Sequence, residues 1–230
     1  MTRTCYRLAA VAALALPALA RAHELSVERT PDAFVVRYGH GREALPIDAA
    51  KVKSIRCWDG AGSATDRVRE AAFSPTEVRF AATCAAVSVF FDGGYWSLTP
   101  DGEVNRPKNE VRQVVRSWAT RQYAKWVDAR SPRAGAVLGD ELELVPVTDL
   151  AKAREGDKIT LRVLSAGKPV PDAAVAIGHH TLGETDSKGE IRLRLRGGGE
   201  PISTSVKRAR PTPQADAEVL EASLAFEVLR

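Results

Sequence analysis

The chain has 230 residues, with 33 Lys and Arg against 29 Asp and Glu. Three of the basic residues, Arg3, Arg7 and Arg21, lie in the first 22 positions, so the rest of the chain is nearly neutral, at about +1. A nucleic-acid partner would need a clustered basic face, which this balance argues against. The length allows one large domain or two small ones after the first 22 residues.

Residues 1–22 have the pattern of a secretory signal peptide. Arg3 and Arg7 supply the positive start, residues 8–19 form the apolar middle, and Ala-Arg-Ala at 20–22 is a small-x-small cleavage site. The apolar run is shorter than the roughly 20 residues that a transmembrane helix needs. We therefore expect cleavage on export to the periplasm and no transmembrane segment in the mature chain.

The predicted cleavage creates a candidate metal ligand at the new N-terminus. A cut after Ala22 makes His23 the first residue, and its free amine and imidazole form a nitrogen chelate that suits copper, nickel or zinc. A cut after Ala20 would instead place His23 third from the amine, in a square-planar nitrogen site for copper or nickel. The alternative is an ordinary signal peptide that happens to end before a histidine. Glu24 could add an oxygen ligand or be a solvated charge.

Strand patterns recur along the rest of the chain, and helix patterns are scarce. Segments of β-branched and aromatic residues with alternating polarity are separated by Gly, Pro and Asp turns, among them a turn predicted at 92–94. Residues 111–127 fit both helix and strand spacing, and 117–125 is interpreted as a strand. The predicted strands are 32–38, 52–58, 77–81, 86–91, 95–99, 117–125, 142–147, 158–164, 173–177, 191–195 and 222–229.

Short strands joined by such turns predict an all-β fold of two antiparallel β-sandwich domains in tandem, immunoglobulin-like or transthyretin-like. Residues 132–139, rich in Gly, Pro and Ala, read as the linker. The predicted organisation is a signal peptide at 1–22, an N-terminal sandwich at 23–135 and a C-terminal sandwich at 140–230.

Two cysteines remain after signal removal, because Cys5 lies in the signal. An even pair in an exported protein predicts a Cys57–Cys84 disulfide. The alternative is a thiolate metal site, which lacks the usual Cys-x-x-Cys spacing.

The four histidines are His23, His40, His179 and His180. His40 ends a predicted strand between two glycines, and a hairpin could bring it beside His23, giving a T-shaped set of three nitrogens for Cu(II) or Ni(II). The alternative is a polar turn residue. His179 and His180 are neighbours on a strand, so at most one could join a given site, and a surface turn is the favoured interpretation.

No enzyme motif is present: the chain has no Gly-x-Ser-x-Gly, no His-Glu-x-x-His and no phosphate-binding glycine loop. We therefore assign no catalytic residue and expect a protein that is not an enzyme. A set of aromatic residues could pack in the core, line a pocket near the metal or form a surface contact. These are Tyr95, Trp96, Trp118, Tyr123 and Trp126.

Several segments of the sequence, taken in order, form a recognisable set. They are His-Glu-Leu at 23–25, Tyr-Gly-His-Gly at 38–41, Gly-Tyr-Trp-Ser-Leu-Thr at 94–99, Asn-Arg-Pro-Lys at 105–108, Tyr-Ala-Lys at 123–125, Leu-Glu-Leu-Val-Pro-Val-Thr-Asp at 142–149, Gly-Lys-Pro-Val-Pro-Asp-Ala at 167–173 and Thr-Asp-Ser-Lys-Gly at 185–189. This ordered set resembles a periplasmic family of unknown function that is linked to nickel and cobalt uptake. Residues 142–196 also look like a transthyretin-like sandwich. The resemblance implies metal handling, and only His23 and His40 are carried over as ligands.

Three functions remain open from the sequence. The first is an exported accessory protein that binds nickel, cobalt or copper through His23 and His40 and passes it to a membrane transporter or outer-membrane receptor. The second is a metal-free interaction module of the cell envelope. The third is a copper redox enzyme with a terminal-histidine brace, which would need an open coordination position.

Overall fold

The computed structural model describes residues 24–40, 43–196 and 200–227. These residues form β-strands and three short 3₁₀ helices, Ala49–Lys51, Lys108–Glu110 and Leu150–Lys152, so the predicted all-β class is confirmed. Within this part of the chain no helix has the length and apolar character to span a membrane. The strands are β1 Glu24–Arg29, β2 Phe34–His40, β3 Glu43–Ala44, β4 Val52–Trp58, β5 Ala64–Asp66, β6 Ala72–Phe73, β7 Glu77–Phe80, β8 Ala86–Thr99, β9 Gly102–Val104, β10 Arg116–Val127, β11 Leu142–Pro146, β12 Lys158–Ser165, β13 Lys168–Pro169, β14 Ala174–Ile177, β15 His180–Glu184, β16 Glu190–Arg194, β17 Ile202–Ala209 and β18 Ala217–Phe226.

The strands assemble into three sheets. The N-terminal sheet has the order β1-β2-β7-β6, with β3 on β2. The central sheet has the order β15-β14-β17-β18-β10-β8-β4-β5, with β9 on β8. The C-terminal sheet has the order β11-β12-β13, with β16 on β12.

The central sheet contains strands from both halves of the chain. Its two halves meet where β18 pairs in parallel with β10, from Trp118↔Ala217 to Val127↔Phe226. The predicted linker, 132–139, connects β10 to β11. The division into two tandem domains stays a prediction, but the sheet that would join them is continuous.

The central sheet lies between two hydrophobic cores, because neighbouring residues on its strands point to opposite faces. Ala124 and Trp126 pack in the core shared with the N-terminal sheet, while Tyr123 and Val127 pack in the core shared with the C-terminal sheet. The ring of Trp126 contacts Phe34 of β2 edge-on, with centroids 5.0 Å apart. Because both faces of β10 are buried, apolar residues occur at odd and at even positions along it. The sequence of this strand therefore lacks simple alternation and fits helix spacing as well.

The turn predicted at 92–94 is wrong: β8 runs unbroken through it. The register on β10 shifts there, with Gly94 opposite Thr120 and Asp92 opposite Arg121, so Gly93 is the extra residue of a β-bulge. A Cβ on Gly93 would lie 3.0 Å from the Thr120 side chain, and Gly94 has a φ of +75°. The glycines therefore permit a bulge rather than a chain reversal.

The predicted disulfide is confirmed. Cys57, on β4, is bonded to Cys84, which lies just before β8. The backbone N–H of Ala85 also donates to the carbonyl of Trp58 at 2.7 Å. The bond thus holds the start of β8 against the end of β4, inside the core shared with the N-terminal sheet.

Candidate functional site

The candidate site lies where β1 begins and β2 ends. The last described antiparallel pair is Glu24↔Gly39, and the backbone of His40 pairs with Glu43 of β3. Gly39 has a φ of +153°, and a Cβ there would lie 2.0 Å from the Glu43 carbonyl oxygen. The position therefore requires glycine. His23 and the side chain of His40 lie outside the described residues, so their predicted juxtaposition stays a prediction.

The other two histidines lie on a hairpin of the central sheet. His179 and His180 are exposed at the hairpin that joins β14 to β15, at the edge of the central sheet. His180 is the cross-strand partner of Ile177. The start of this hairpin lies near Glu24: Ala176 of β14 pairs with Ser203, which hydrogen-bonds Glu24. A Cβ on Gly178 would lie 3.6 Å from Oε2 of Glu200, whose charge also acts on Glu24.

Glu24, at the start of β1, is partly exposed, and whether it is a ligand or a solvated charge stays open. Its Oε1 is buried and has no hydrogen-bond partner among the described residues. Burial raises the pKa of Glu24 to about 7; a hydrogen bond from Ser203 of β17 opposes this, and the negative charges of Glu221 and Glu200 add to it. Loss of hydration disfavours the ionised carboxylate, and nearby negative charges disfavour it further.

Glu221 is the second carboxylate of this region and lies on β18. Its cross-strand neighbour on β10 is Gln122, whose Nε2 donates to Glu221 Oε2 at 2.5 Å. Burial raises the pKa of Glu221 to about 7, against the effect of the Gln122 hydrogen bond. Burial, followed by the charge of Glu221, also raises the pKa of Tyr38 on β2 to about 12. The ring of Tyr38 is stacked on Phe91 at 5.2 Å.

We call Glu24, Glu221, Gln122 and Tyr38 the acidic cluster. Within the described part of the chain, neither carboxylate forms an ion pair with Lys or Arg. Two neighbouring, partly buried carboxylates with raised pKa values can take up a proton or hold a cation. The described side chains, which leave out those of His23 and His40, include no group of three or more His, Cys, Asp or Glu placed to bind a metal.

A family model described as a domain of unknown function, DUF4198, matches residues 18–200 of the chain. The chain belongs to the DUF4198 family. No curated protein matches it. One similar solved structure is the crystal structure of a tetra-tandem repeat in the extending region of a large adhesion protein, at 13% identity and a TM-score of 0.22. The match covers 90% of this chain and 50% of that one, and carries no argument about fold or function.

Two of the five aromatic residues that the sequence singled out in this DUF4198 protein are core residues. Tyr123 and Trp126 are buried in the cores, and Tyr95 is 38% exposed. Trp126 also borders a cleft of about 200 Å³ at the other end of β1, where the Arg29 guanidinium lies 5.7 Å from its ring centroid. The core interpretation therefore holds for Tyr123 and Trp126.

Sequence reasoning missed three members of the acidic cluster in this DUF4198 protein. Glu221 interrupts the apolar pattern of the last strand, a signal that could have marked it as a polar residue facing the interior. Gln122 and Tyr38 become relevant only through the pairing of β10 with β18 and of β1 with β2. The family match ends at residue 200, so it includes Glu24 and His40 but not Glu221.

Proposed function

We propose that this protein is an exported metal-binding accessory protein that captures nickel, cobalt or copper. His23, at the processed N-terminus, binds the metal through its amine and imidazole, and His40 adds a second imidazole. The bound metal is then passed to a membrane transporter or outer-membrane receptor.

The observation that carries the proposal is the register of β1 on β2. Glu24 pairs with Gly39, and each predicted ligand is the covalent neighbour of one of these two residues. Paired Cα atoms of an antiparallel ladder lie at most about 5.5 Å apart, so the register supports the proposal that the two ligands share one metal ion.

The electrostatics of the same region support a cation. Burial raises the pKa of both Glu24 and Glu221 to about 7, although each side chain keeps partial exposure. Neither has a Lys or Arg ion-pair partner among the described residues. A divalent cation beside them would offset the free-energy cost of burying the two negative charges. The acidic cluster therefore favours metal capture over a metal-free role for this end of the fold.

Ligand chemistry narrows the choice of metal. Amine and imidazole nitrogens suit nickel, copper and cobalt, whereas Cu(I) prefers thiolate and thioether ligands. The two cysteines that follow residue 22 are joined in a disulfide and supply no thiolate. A disulfide also fits a protein that folds in an oxidising compartment.

The test compares two forms of one protein. One form begins with His23, and the other carries a single added Met before it. We expect calorimetry to show Ni²⁺ or Cu²⁺ binding at least about tenfold tighter, or about 1.4 kcal/mol, for the native terminus, because an added residue separates the amine from the imidazole. Equal affinities would contradict the chelate, and the intact mass of the exported protein would show which residue starts the mature chain.

A further inference from the structure

The cleft of about 200 Å³ beside Arg29 and Trp126 is a second candidate site. We infer that it binds an organic monocarboxylate, with the Arg29 guanidinium holding the carboxylate and the apolar part of the lining taking the body of the ligand. The inference is independent of the proposed metal site, because Arg29 ends β1 and Glu24 begins it, about 17 Å away along the strand.

The cleft opens where elements of all three sheets come together. Its lining comes from the end of β1, the end of β10 and the turn after it, and the 3₁₀ helix between β11 and β12. Four apolar residues contribute, of which Trp126, Leu150 and Ala129 are buried and Ala151 is half-buried. An apolar cavity of about 150 Å³ can hold benzene, so this cleft has room for one ring-sized apolar group and a carboxylate.

Arg29 supplies a positioned cation at this cleft. Its Cζ lies over Trp126, 5.7 Å from the ring centroid. Such a cation–π contact holds the side chain while the N–H groups at the edge of the guanidinium remain able to donate. In the part of the chain that the structure describes, neither Arg29 nor Arg130, which also lines the cleft, forms an ion pair with Asp or Glu. A carboxylate matches the two parallel donors of a guanidinium, so Arg29 is assigned as its binding residue.

Two acidic residues of the lining restrict the charge of the ligand. Asp128 and Glu227 also border the cleft. Asp128 Oδ1 accepts the backbone N–H of Arg130 at 3.0 Å, which ties this carboxylate to its own turn. A second negative charge on the ligand would be repelled by both acids. The cleft should therefore prefer a monocarboxylate to a dicarboxylate.

The experiment titrates the metal-free protein with benzoate and follows the indole N–H signal of Trp126 by NMR, assigned with Trp126→Phe. We expect a saturable shift. Benzamide, which keeps the ring without the charge, and phthalate, which adds a second charge, should each bind at least about tenfold more weakly than benzoate.

The variants compare two arginines in the same kind of contact. Arg29→Gln should weaken benzoate binding at least about tenfold. The matched control is Arg116→Gln, because Arg116 also lies 5.7 Å from a Trp ring centroid, that of Trp118, and does not line the cleft. This control should bind benzoate like the wild type. Arg29 is exposed, so the thermal melt of Arg29→Gln should match that of the wild type.

Two more variants test the shape of the site. Ala151→Leu fills the cleft and leaves both arginines in place, so it should abolish benzoate binding. Arg29→Lys keeps the charge without the planar pair of donors, and its affinity should fall between those of the wild type and Arg29→Gln. Equal affinities for benzoate and benzamide, or wild-type affinity in Arg29→Gln, would overturn the inference.

The carboxylate could belong to a free acid or to the C-terminus of a peptide. An N-acetylated tripeptide that ends in Phe distinguishes the two sources, because its chain must extend out of the cleft. Tighter binding of the tripeptide than of benzoate would support a peptide C-terminus, and weaker binding would support a free acid. A wild-type protein that shows no saturable shift with either probe would contradict the carboxylate site and leave the proposed metal site standing.

Discussion

The ammonium of Lys125 lies 3.1 Å from the Glu143 carboxylate, with 2% and 1% of the two side chains exposed. Lys125 Nζ also donates to the Ala136 carbonyl at 2.8 Å. The Glu143 carboxylate accepts backbone N–H groups of Leu138 and Gly139 at 3.0 and 3.1 Å. One buried ion pair thus connects β10, the segment 136–139 and β11.

Removal of the cation from this pair should be strongly destabilising. Lys125→Met leaves Glu143 buried and uncompensated, and we expect a loss of about 3–5 kcal/mol in the free energy of unfolding. Adding Glu143→Gln should recover part of the loss. Urea denaturation measures both changes, with the exposed Lys152→Met as a control that shifts stability by less than about 0.5 kcal/mol. A Lys125→Met protein as stable as the control would mean that the pair carries no net stabilisation.

The strands were predictable where one face is buried and polarity alternates. Val52–Trp58 matches its predicted bounds, and Lys158–Ser165 and Glu77–Phe80 differ by one residue from theirs. Such patterns record burial directly. Strand β17 was missed, although Ile202, Thr204 and Val206 alternate with polar residues along it.

Long-range relationships could not be predicted from local patterns. The bulge at Gly93 depends on the Thr120 side chain opposite it, and residues 92–94 alone look like a turn. The sequence alone would predict an exposed Lys125, because its buried partner Glu143 comes from β11, a different strand. Glu221 joins the acidic cluster because β18 returns to pair with β10, 99 positions from Gln122. Such partners are fixed by topology rather than by sequence spacing.

The disulfide should contribute measurably to stability. Cys57 and Cys84 are 27 positions apart, and closing a loop of that size typically stabilises a fold by about 2–4 kcal/mol. In the double variant Cys57→Ala, Cys84→Ala, the free energy of unfolding measured by urea denaturation should therefore be lower by that amount. Thiol titration of the denatured, non-reduced wild type should find no free thiol. Two titratable thiols in protein from the periplasm would contradict the bond and reopen a thiolate site.

Gly39 should tolerate no side chain. Its φ of +153° is unfavourable for L-residues, and a Cβ would lie 2.0 Å from the Glu43 carbonyl oxygen. We expect Gly39→Ala to cost about 1–3 kcal/mol or more of stability, and to weaken metal binding by displacing the end of β2. Gly60→Ala is the matched control, because a Cβ there meets nothing within 4 Å. Thermal melts and Ni²⁺ titrations that match for the two variants would contradict this prediction.

The stability of the metal-free protein should fall as pH rises from about 5 to 8. Glu221 has a pKa raised by burial from 4.5 to about 7, so between these values the folded state holds a proton that the unfolded state has lost. The contribution of Glu221 to the free energy of unfolding is fully present below pH 4.5 and is lost as the pH rises through 7. This loss is on the order of 3 kcal/mol. Glu24 on β1 interacts with Glu221, has a similar pKa and adds to the loss of stability with rising pH. The other two members of the acidic cluster, Gln122 and Tyr38, stay neutral between pH 5 and 8.

Denaturation in a chelating buffer at several pH values measures this dependence. Glu221→Gln should flatten the decline and stabilise the protein at pH 8, because the buried charge is gone. Glu103→Gln removes an exposed carboxylate and should leave the decline unchanged. A slope that is the same in both variants would show that Glu221 is ionised in the folded protein over the whole range.

His40→Ala should weaken Cu²⁺ and Ni²⁺ binding at least about tenfold, or about 1.4 kcal/mol, without unfolding the protein. The backbone of His40 is paired with Glu43 and follows the Glu24↔Gly39 pair, so an imidazole on this strand end would hold a terminal chelate in one geometry. His179→Ala and His180→Ala are the controls, since both residues are exposed at a hairpin on the edge of the central sheet. Paramagnetic resonance of the Cu²⁺ form counts bound nitrogens, and one imidazole should disappear in His40→Ala alone. An unchanged spectrum and affinity in His40→Ala, with loss in a His179 or His180 variant, would move the site to the hairpin, because the imidazole ligand would then come from β14–β15 rather than from the end of β2.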